Sequence, residues 1–179
     1  MKYLLIRFFI SILPSGVMRT KYIKKWNIFK EVGENFYFCP RKLPADPQFI
    51  KFHNNVAVAA DVLFCNHDVM QKVFNHTFNV PVPKFFGCIE VMDNVFIGSK
   101  TMILPNVRIA SNVIIAADSL VTKSITESGV YAGHPVKKVG EFSDLYKKRL
   151  DYKILVEEGE GATLEEILWN WFYKNNECT

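Results

Sequence analysis

The sequence predicts a mainly β fold: a coil of short parallel strands, interrupted by one excursion loop and flanked by helices at both ends. Three regularities carry this expectation. Ile97, Ile103, Ile109, Ile115 and Val121 fall at unbroken intervals of six. Val95, Thr101, Val107, Val113 and Ser119 stand two places before them. The last residue of each intervening turn reads Asn55, Asp61, His67, Asn94, Lys100, Asn106, Asn112, Asp118 and Ser124, with Asn and Asp dominant. A strand alternates its side chains, so both ends of a triplet face one way and its middle residue the other. A helical period of 3.6 cannot hold every sixth residue on one side for so long. Asn and Asp tolerate the left-handed backbone region that a sharp corner needs. Strand and corner in alternation describe a coil.

Residues 1–35 are the first element, a basic helical segment. Residues 1–30 hold seven Lys or Arg and no acid, whereas residues 31–179 hold fifteen against eighteen. The net charge of +4 therefore belongs to one end, which argues against a nucleic-acid-binding body. The run Tyr3–Leu13 is apolar but interrupted by Arg7, with no small-residue cleavage site after it. It is also far shorter than a membrane span of roughly 20 residues. Lys2, Arg7, Arg19, Lys21, Lys24 and Lys25 lie among Leu, Ile, Phe and Trp26. That mixture fits a packing helix with solvated charges; the sharper alternative is weak attachment to an anionic membrane surface.

Residues 36–140 carry the coil. Ile50-Lys51-Phe52, Val56-Ala57-Val58 and Val62-Leu63-Phe64 share the phase of Ile89-Glu90-Val91 and its successors. The phase breaks once, in an irregular excursion over residues 69–88 that contains Pro81 and Pro83. Residues 141–179 read as two helices. Phe142, Tyr146, Leu150 and Ile154 are four apart, and Gly159-Glu160-Gly161 breaks the run. Thr163 and Glu166 have capping-box spacing before the stripe Leu164, Ile167, Leu168 and Trp171. With 49% apolar residues, a chain of 179 can bury one sizeable core. Cys39, Cys65, Cys88 and Cys178 are widely spaced and His numbers only four. That gives no sign of a disulfide framework, speaks against a metal site, and makes a cytoplasmic compartment the expectation.

Ile89–Phe142 resembles the hexapeptide-repeat acyltransferases. Asp93-Asn94-Val95-Phe96-Ile97-Gly98-Ser99 is similar to their recurring strand-and-corner segment. Val121-Thr122-Lys123 followed by Val130-Tyr131-Ala132-Gly133-His134-Pro135-Val136-Lys137 is similar to their closing motif. Phe38-Cys39-Pro40-Arg41-Lys42-Leu43-Pro44 and Asn66-His67-Asp68-Val69 most resemble the capsular-polysaccharide type of O-acetyltransferase. Ala110, Ala116 and Asp118 depart from the glycines usual in that family. The resemblance implies a left-handed parallel β-helix with three sides, in which residues eighteen apart stack. Phe96 then meets Ile114, Met102 meets Leu120, and Glu90 shares the third face with Arg108. Two distinct apolar faces suit the two contact surfaces of a cyclic homotrimer.

His67 stands at the corner where the excursion begins, a place where irregular chain commonly serves a binding site. One explanation is that histidine merely tolerates a tight corner. The family resemblance instead implies a catalytic base at this position. An acceptor hydroxyl is protonated at neutral pH, and imidazole is the side chain whose ordinary pKa suits its removal. The electrophile would be the thioester carbonyl of acetyl-CoA, attacked directly with no acyl-enzyme. Asp68, next in the chain, falls at an inward phase, where it would anchor the loop backbone or orient His67. His76 is expected to be an ordinary exposed loop residue, and His53 to lie in a corner. For the co-substrate, the resemblance assigns Ser99, Ala117, Thr122 and Lys123 to the coenzyme groove. It places Lys137, with Lys138 beside it, near the nucleotide phosphates; solvated surface lysines are the plainer alternative. Asp118 would repel such an anion if it faced the groove. The expected activity is acetyl transfer to a hydroxyl of a saccharide or saccharide precursor. N-acetylation of an aminosugar and a non-catalytic scaffold are the competing expectations, and a zinc hydratase on the same coil lacks its close His pair.

Overall fold

The computed structural model describes residues 2–157 and 162–176, with side chains for residues 4–150 and 162–176. Cys178, the Gly159-Glu160-Gly161 break and the side chain of Ile154 lie outside the described residues. The chain divides into two compact units, Met1–Phe142 and Ser143–Thr179.

Nearly every triplet read from the sequence is a strand. The first unit opens with α1 (Lys2–Ile12) and α2 (Gly16–Lys25), followed by β1 (Glu31–Val32), β2 (Tyr37–Phe38), β3 (Ile50–Phe52), β4 (Val56–Val58) and β5 (Leu63–Phe64). After α3 (Gln71–Phe78) come β6 (Ile89–Val91), β7 (Val95–Ile97), β8 (Met102–Ile103), β9 (Val107–Ile109), β10 (Val113–Ile115), β11 (Leu120–Val121), β12 (Gly129–Ala132) and β13 (Lys137–Gly140). Strands join three sheets in rotation, with orders β1-β3-β6-β9, β2-β4-β7-β10-β12-β13 and β5-β8-β11. All pairings are parallel except β12 with β13.

The register follows the repeat. Ile114 pairs with Phe96, Leu120 with Met102, and Arg108 with Glu90. The ends of the triplets point inward and are sealed: Ile50, Phe52, Val56, Val58, Ile97, Ile103, Ile109, Ile115 and Val121 are fully buried. Each such side chain contributes roughly 1.5–3 kcal/mol of burial free energy. Thr101 and Ser119, the polar inward residues, are also buried, and both hydroxyls donate to the carbonyl of Ala116. They therefore add no unsatisfied group to the core.

The corners use the backbone region expected of them. Asn55, Asp61, Asn94, Lys100, Asn106, Asn112 and Asp118 all have φ between 53° and 62°. Along one edge the amides form a ladder, Asn55 Nδ2 donating to Asn94 Oδ1 (2.8 Å) and Asn94 Nδ2 to Asn112 Oδ1 (2.9 Å). Gly98 allows the layers to close: a Cβ there would lie 2.4 Å from the Ala117 backbone nitrogen.

Two departures from periodicity frame the site. The excursion is not wholly irregular, because α3 occupies Gln71–Phe78 within it. In the first layer the third side carries no strand between β2 and β3; instead, the segment runs through a 3-10 turn at Pro47–Phe49. The basic N-terminus is also less solvated than expected. Arg19 is 3% exposed and donates to the Leu13 carbonyl, while Ile6, Ile10 and Ile23 enter the core.

The helices α4 (Phe142–Glu157), which starts at the last residue of the first unit, and α5 (Leu164–Asn175) make up the described part of the second. Thr163 accepts from the Glu166 N–H, and the Glu166 side chain accepts from the Thr163 N–H, completing the capping box. Tyr146 and Leu150, two members of the expected apolar stripe, are exposed.

Candidate active site

β5 delivers the chain to Asn66 and His67, where the excursion leaves the coil. The Gly87 N–H donates to the Asn66 carbonyl (2.8 Å), and His67 bridges antiparallel to Phe86. Departure and return of the excursion are thus tied together at this corner. His67 does not share the left-handed backbone of the seven corners above. Tolerance of a tight turn therefore does not explain a histidine here.

The imidazole is held by a carboxylate that the sequence reading did not single out. His67 Nδ1 lies 2.6 Å from Asp46 Oδ2, with the two side chains 22% and 23% exposed. Asp46 immediately precedes the Pro47–Phe49 turn, and its carbonyl accepts from Asn66 Nδ2. A carboxylate accepts but does not donate, so the neutral ring carries its proton on Nδ1 and leaves Nε2 as a lone-pair acceptor. The ring also packs against Phe86, with centroids 5.8 Å apart, and Phe86 meets Phe49 at 5.6 Å.

A second group holds the chain just before Asp46. Arg7 of α1 donates through Nη1 to the Leu43 carbonyl (3.0 Å) and through Nη2 to those of Pro44 (2.6 Å) and Ala45 (2.8 Å). These bonds pin the turn directly before Asp46, correcting the expectation of a solvated Arg7. No sequence pattern announces such a contact, because its acceptors are backbone carbonyls. For Asp46, the available signal was its place before a Pro in an aperiodic stretch.

Asp68 does not point into the core as its phase suggested. It is half-buried, and its carboxylate accepts from the Met70 N–H (3.0 Å) just before α3. The coil phase has already ended at this residue, which explains the difference. Asp68 is thus bonded to the loop backbone, while the carboxylate on the His67 ring is that of Asp46. With Gln71, Phe74, Val82 and Phe85 it lines a small, mostly apolar cavity of 270 Å³. His76 lies exposed in the last turn of α3 rather than in a loop.

His53 also contacts a carboxylate, through Nε2 to Glu90 Oε1 (3.0 Å). Glu90 additionally accepts from Arg108 Nε (2.7 Å) and lies 3.8 Å from Lys51 Nζ. The His53 hydrogen bond, followed by that of Arg108, holds the Glu90 carboxyl below its usual range.

The residues assigned to the coenzyme fall into separate places. Ser99 and Ala117 occupy adjoining corners, where the Asp118 N–H donates to the Ser99 carbonyl (2.7 Å) and Asp118 itself is exposed. Thr122 and Lys123 line an open pocket of 290 Å³ with Glu127, Tyr131, Pro135 and Val136. Lys137 and Lys138 lie on β13 opposite Ala132 and Tyr131. Lys138 Nζ pairs with Glu141 (2.9 Å), whose hydrogen bond raises the ammonium pKa. Lys137 is exposed.

Comparison with known proteins agrees with the repeat and the fold. Residues 89–123 match the model of the bacterial transferase hexapeptide, six repeats. Galactoside O-acetyltransferase of Escherichia coli is 31% identical over 125 residues, covering 69% of this chain and 60% of that enzyme. Protein CapG of Staphylococcus aureus is 35% identical over 95 residues, covering 53% of this chain and 54% of CapG. The chain spans about three fifths of the length of the first curated relatives it matches. A galactoside acetyltransferase in complex with coenzyme A superposes with a TM-score of 0.57 at 25% identity, covering 80% of each chain. A maltose O-acetyltransferase from Clostridium difficile shares the fold, with a TM-score of 0.58 at 19% identity over 76% of this chain and 82% of its own. Sheets built on a six-residue period, together with these relatives, lead to one statement: the chain carries the bacterial transferase hexapeptide repeat and is similar in sequence and fold to hexapeptide-repeat acetyltransferases.

Proposed function

We propose that this chain is an acetyl-CoA-dependent acetyltransferase that acylates a hydroxyl of a saccharide or saccharide precursor in the cytoplasm. In this reading the coil winds left-handed and three copies associate through the apolar faces that carry Phe96 and Ile114, and Met102 and Leu120. The observation that carries the reading is the Asp46–His67 pair at the mouth of the excursion. The named activities of the galactoside and maltose enzymes support the class of acceptor.

The chemistry needs one base and a carrier. Nε2 of His67 takes the proton of the acceptor hydroxyl as its oxygen attacks the thioester carbonyl. The ring becomes imidazolium, and the Asp46 carboxylate stabilises that charge across the Nδ1–H bond. As the carbon–sulfur bond breaks, the proton passes from Nε2 to the departing thiol, restoring the neutral ring. Ser99, Ala117, Thr122 and Lys123 would contact the coenzyme, which supplies the activated acetyl group. Lys137 would meet its phosphates, and Lys138 would first have to exchange Glu141 for them. Asp68 serves by fixing the start of α3 rather than by proton transfer.

Thiol release from acetyl-CoA, measured across a panel of mono- and oligosaccharides, tests this. The account predicts release that depends on one acceptor class and is lost in His67→Ala. Undiminished transfer in that variant would overturn the role of His67.

A further inference from the structure

The N-terminal helices present a surface that neither the coil nor the candidate site uses. Apart from Lys2, Arg7 and Ser11, α1 is built of apolar and aromatic residues. Ile6 and Ile10 enter the core, while Leu4, Leu5, Phe8, Phe9 and Ile12 are between 43% and 72% exposed. α2 adds exposed Val17 and Met18. The rings form a continuous run across both helices: Phe8 to Phe9 at 5.9 Å, Phe9 to Tyr22 at 6.0 Å, and Tyr22 to Trp26 at 6.1 Å. An exposed apolar patch of this kind marks a contact.

Charge identifies the occupant. Residues 1–30 contain no acid at all. Arg7 and Arg19 are withdrawn into carbonyl contacts, so the cations left for the surface are lysines. Lys21, Lys24 and Lys25 are exposed along α2, and Lys25 Nζ lies 6.0 Å from the Trp26 ring centroid. At the far end of α1, the exposed Arg41 donates to the Ser11 carbonyl (3.0 Å). A second copy would bring the same cations and no acid from this segment, so self-association here would be opposed by charge. Apolar side chains bordered by Trp, Tyr and Lys match the layers of a bilayer interface, with hydrocarbon below and anionic headgroups above. No helix among the described residues is long and apolar enough to cross a membrane.

We infer that the exposed face of α1 and α2 docks peripherally on an anionic membrane surface, with Leu5, Phe8 and Ile12 entering the acyl boundary and Lys21, Lys24 and Lys25 meeting the headgroups. Docking and acetyl transfer are separable, since none of these residues belongs to the candidate site.

Sedimentation of the full chain with vesicles tests the proposal. The protein should pellet with vesicles containing phosphatidylglycerol at about 0.1 M salt, not with phosphatidylcholine alone, and be released near 1 M salt. Replacing Lys21, Lys24 and Lys25 together by Gln should weaken partitioning about a hundredfold, at roughly fivefold per charge. Leu5→Gln with Phe8→Gln should abolish pelleting while leaving the thermal midpoint and the assembly mass unchanged, because Ile6 and Ile10 keep α1 packed. Failure of the wild type to pellet would overturn the proposal. So would binding insensitive to salt and lipid charge, or a fall in assembly mass in the Leu5, Phe8 variant, which would assign the face to a second copy.

Discussion

His53 and His67 each place one ring nitrogen on a carboxylate, and each side chain is 22% exposed. The difference lies in which nitrogen is engaged. His53 is bonded at its tip, through Nε2, to a Glu90 already shared with Arg108 and Lys51. Only Nδ1, the nitrogen nearer the backbone, remains. His67 is bonded at its stem, through Nδ1, to Asp46, and among the described residues no hydrogen bond involves its tip nitrogen. The first pair belongs to a charged ladder on a coil face, and the second stands where the coil opens. A histidine–carboxylate contact is therefore not in itself a site; the free atom and its surroundings decide.

The sharpest way to break this comparison is His67→Ala. Removing a general base should lower acetyl transfer by about 10²- to 10⁴-fold, read as coenzyme thiol release, with the circular dichroism spectrum unchanged. Asp46→Asn should cost less. A charge-assisted hydrogen bond of about 1.5–3 kcal/mol corresponds to a loss of roughly 10- to 150-fold, seen mainly in kcat.

Arg7→Ala probes the support beneath that pair. It removes the hydrogen bonds to three consecutive carbonyls before Asp46. The expected outcome is a fall in kcat smaller than that of Asp46→Asn, together with a loss of about 1–3 kcal/mol in urea unfolding. Glu90→Gln should leave transfer intact and cost about 1 kcal/mol of stability at neutral pH. Because the folded Glu90 pKa is depressed, that contribution is present above the unfolded value and is lost as pH falls through the lower folded one. The stability gap between wild type and variant should therefore close in acid. His53→Ala should have the smallest effect, changing the transfer rate by less than about twofold, since its tip nitrogen is occupied.

The two regions also differ in how far the sequence reveals them. The coil is legible because one physical rule repeats: inward Val and Ile every sixth residue, corners of Asn and Asp. The register of Phe96 with Ile114 and of Glu90 with Arg108 followed once the family resemblance supplied three sides per coil. The corner of His67 was legible as a break in phase. Its partner was not, because Asp46 lies in the layer segment that forms no strand, where no period constrains which residue comes back beneath the corner. Asp68 lies outside the core for a related reason: the repeat has already ended there, so its phase no longer sets where the side chain points. α3 could have been found. Met70, Phe74 and Phe78 are spaced four apart, a helical interval inside a stretch read as loop. The clamp of Arg7 had no pattern to betray it.

The central claim is that Asp46 fixes the His67 ring so that Nε2 is bare. Nitrogen-15 NMR of imidazole-labelled protein at about pH 9, where histidine side chains are ordinarily neutral, tests it most directly. The account predicts a His67 signal with a protonated Nδ1 and an unprotonated Nε2, lost as a single tautomer in Asp46→Asn. A proton on Nε2 in the wild type, or equal populations of the two tautomers, would contradict it.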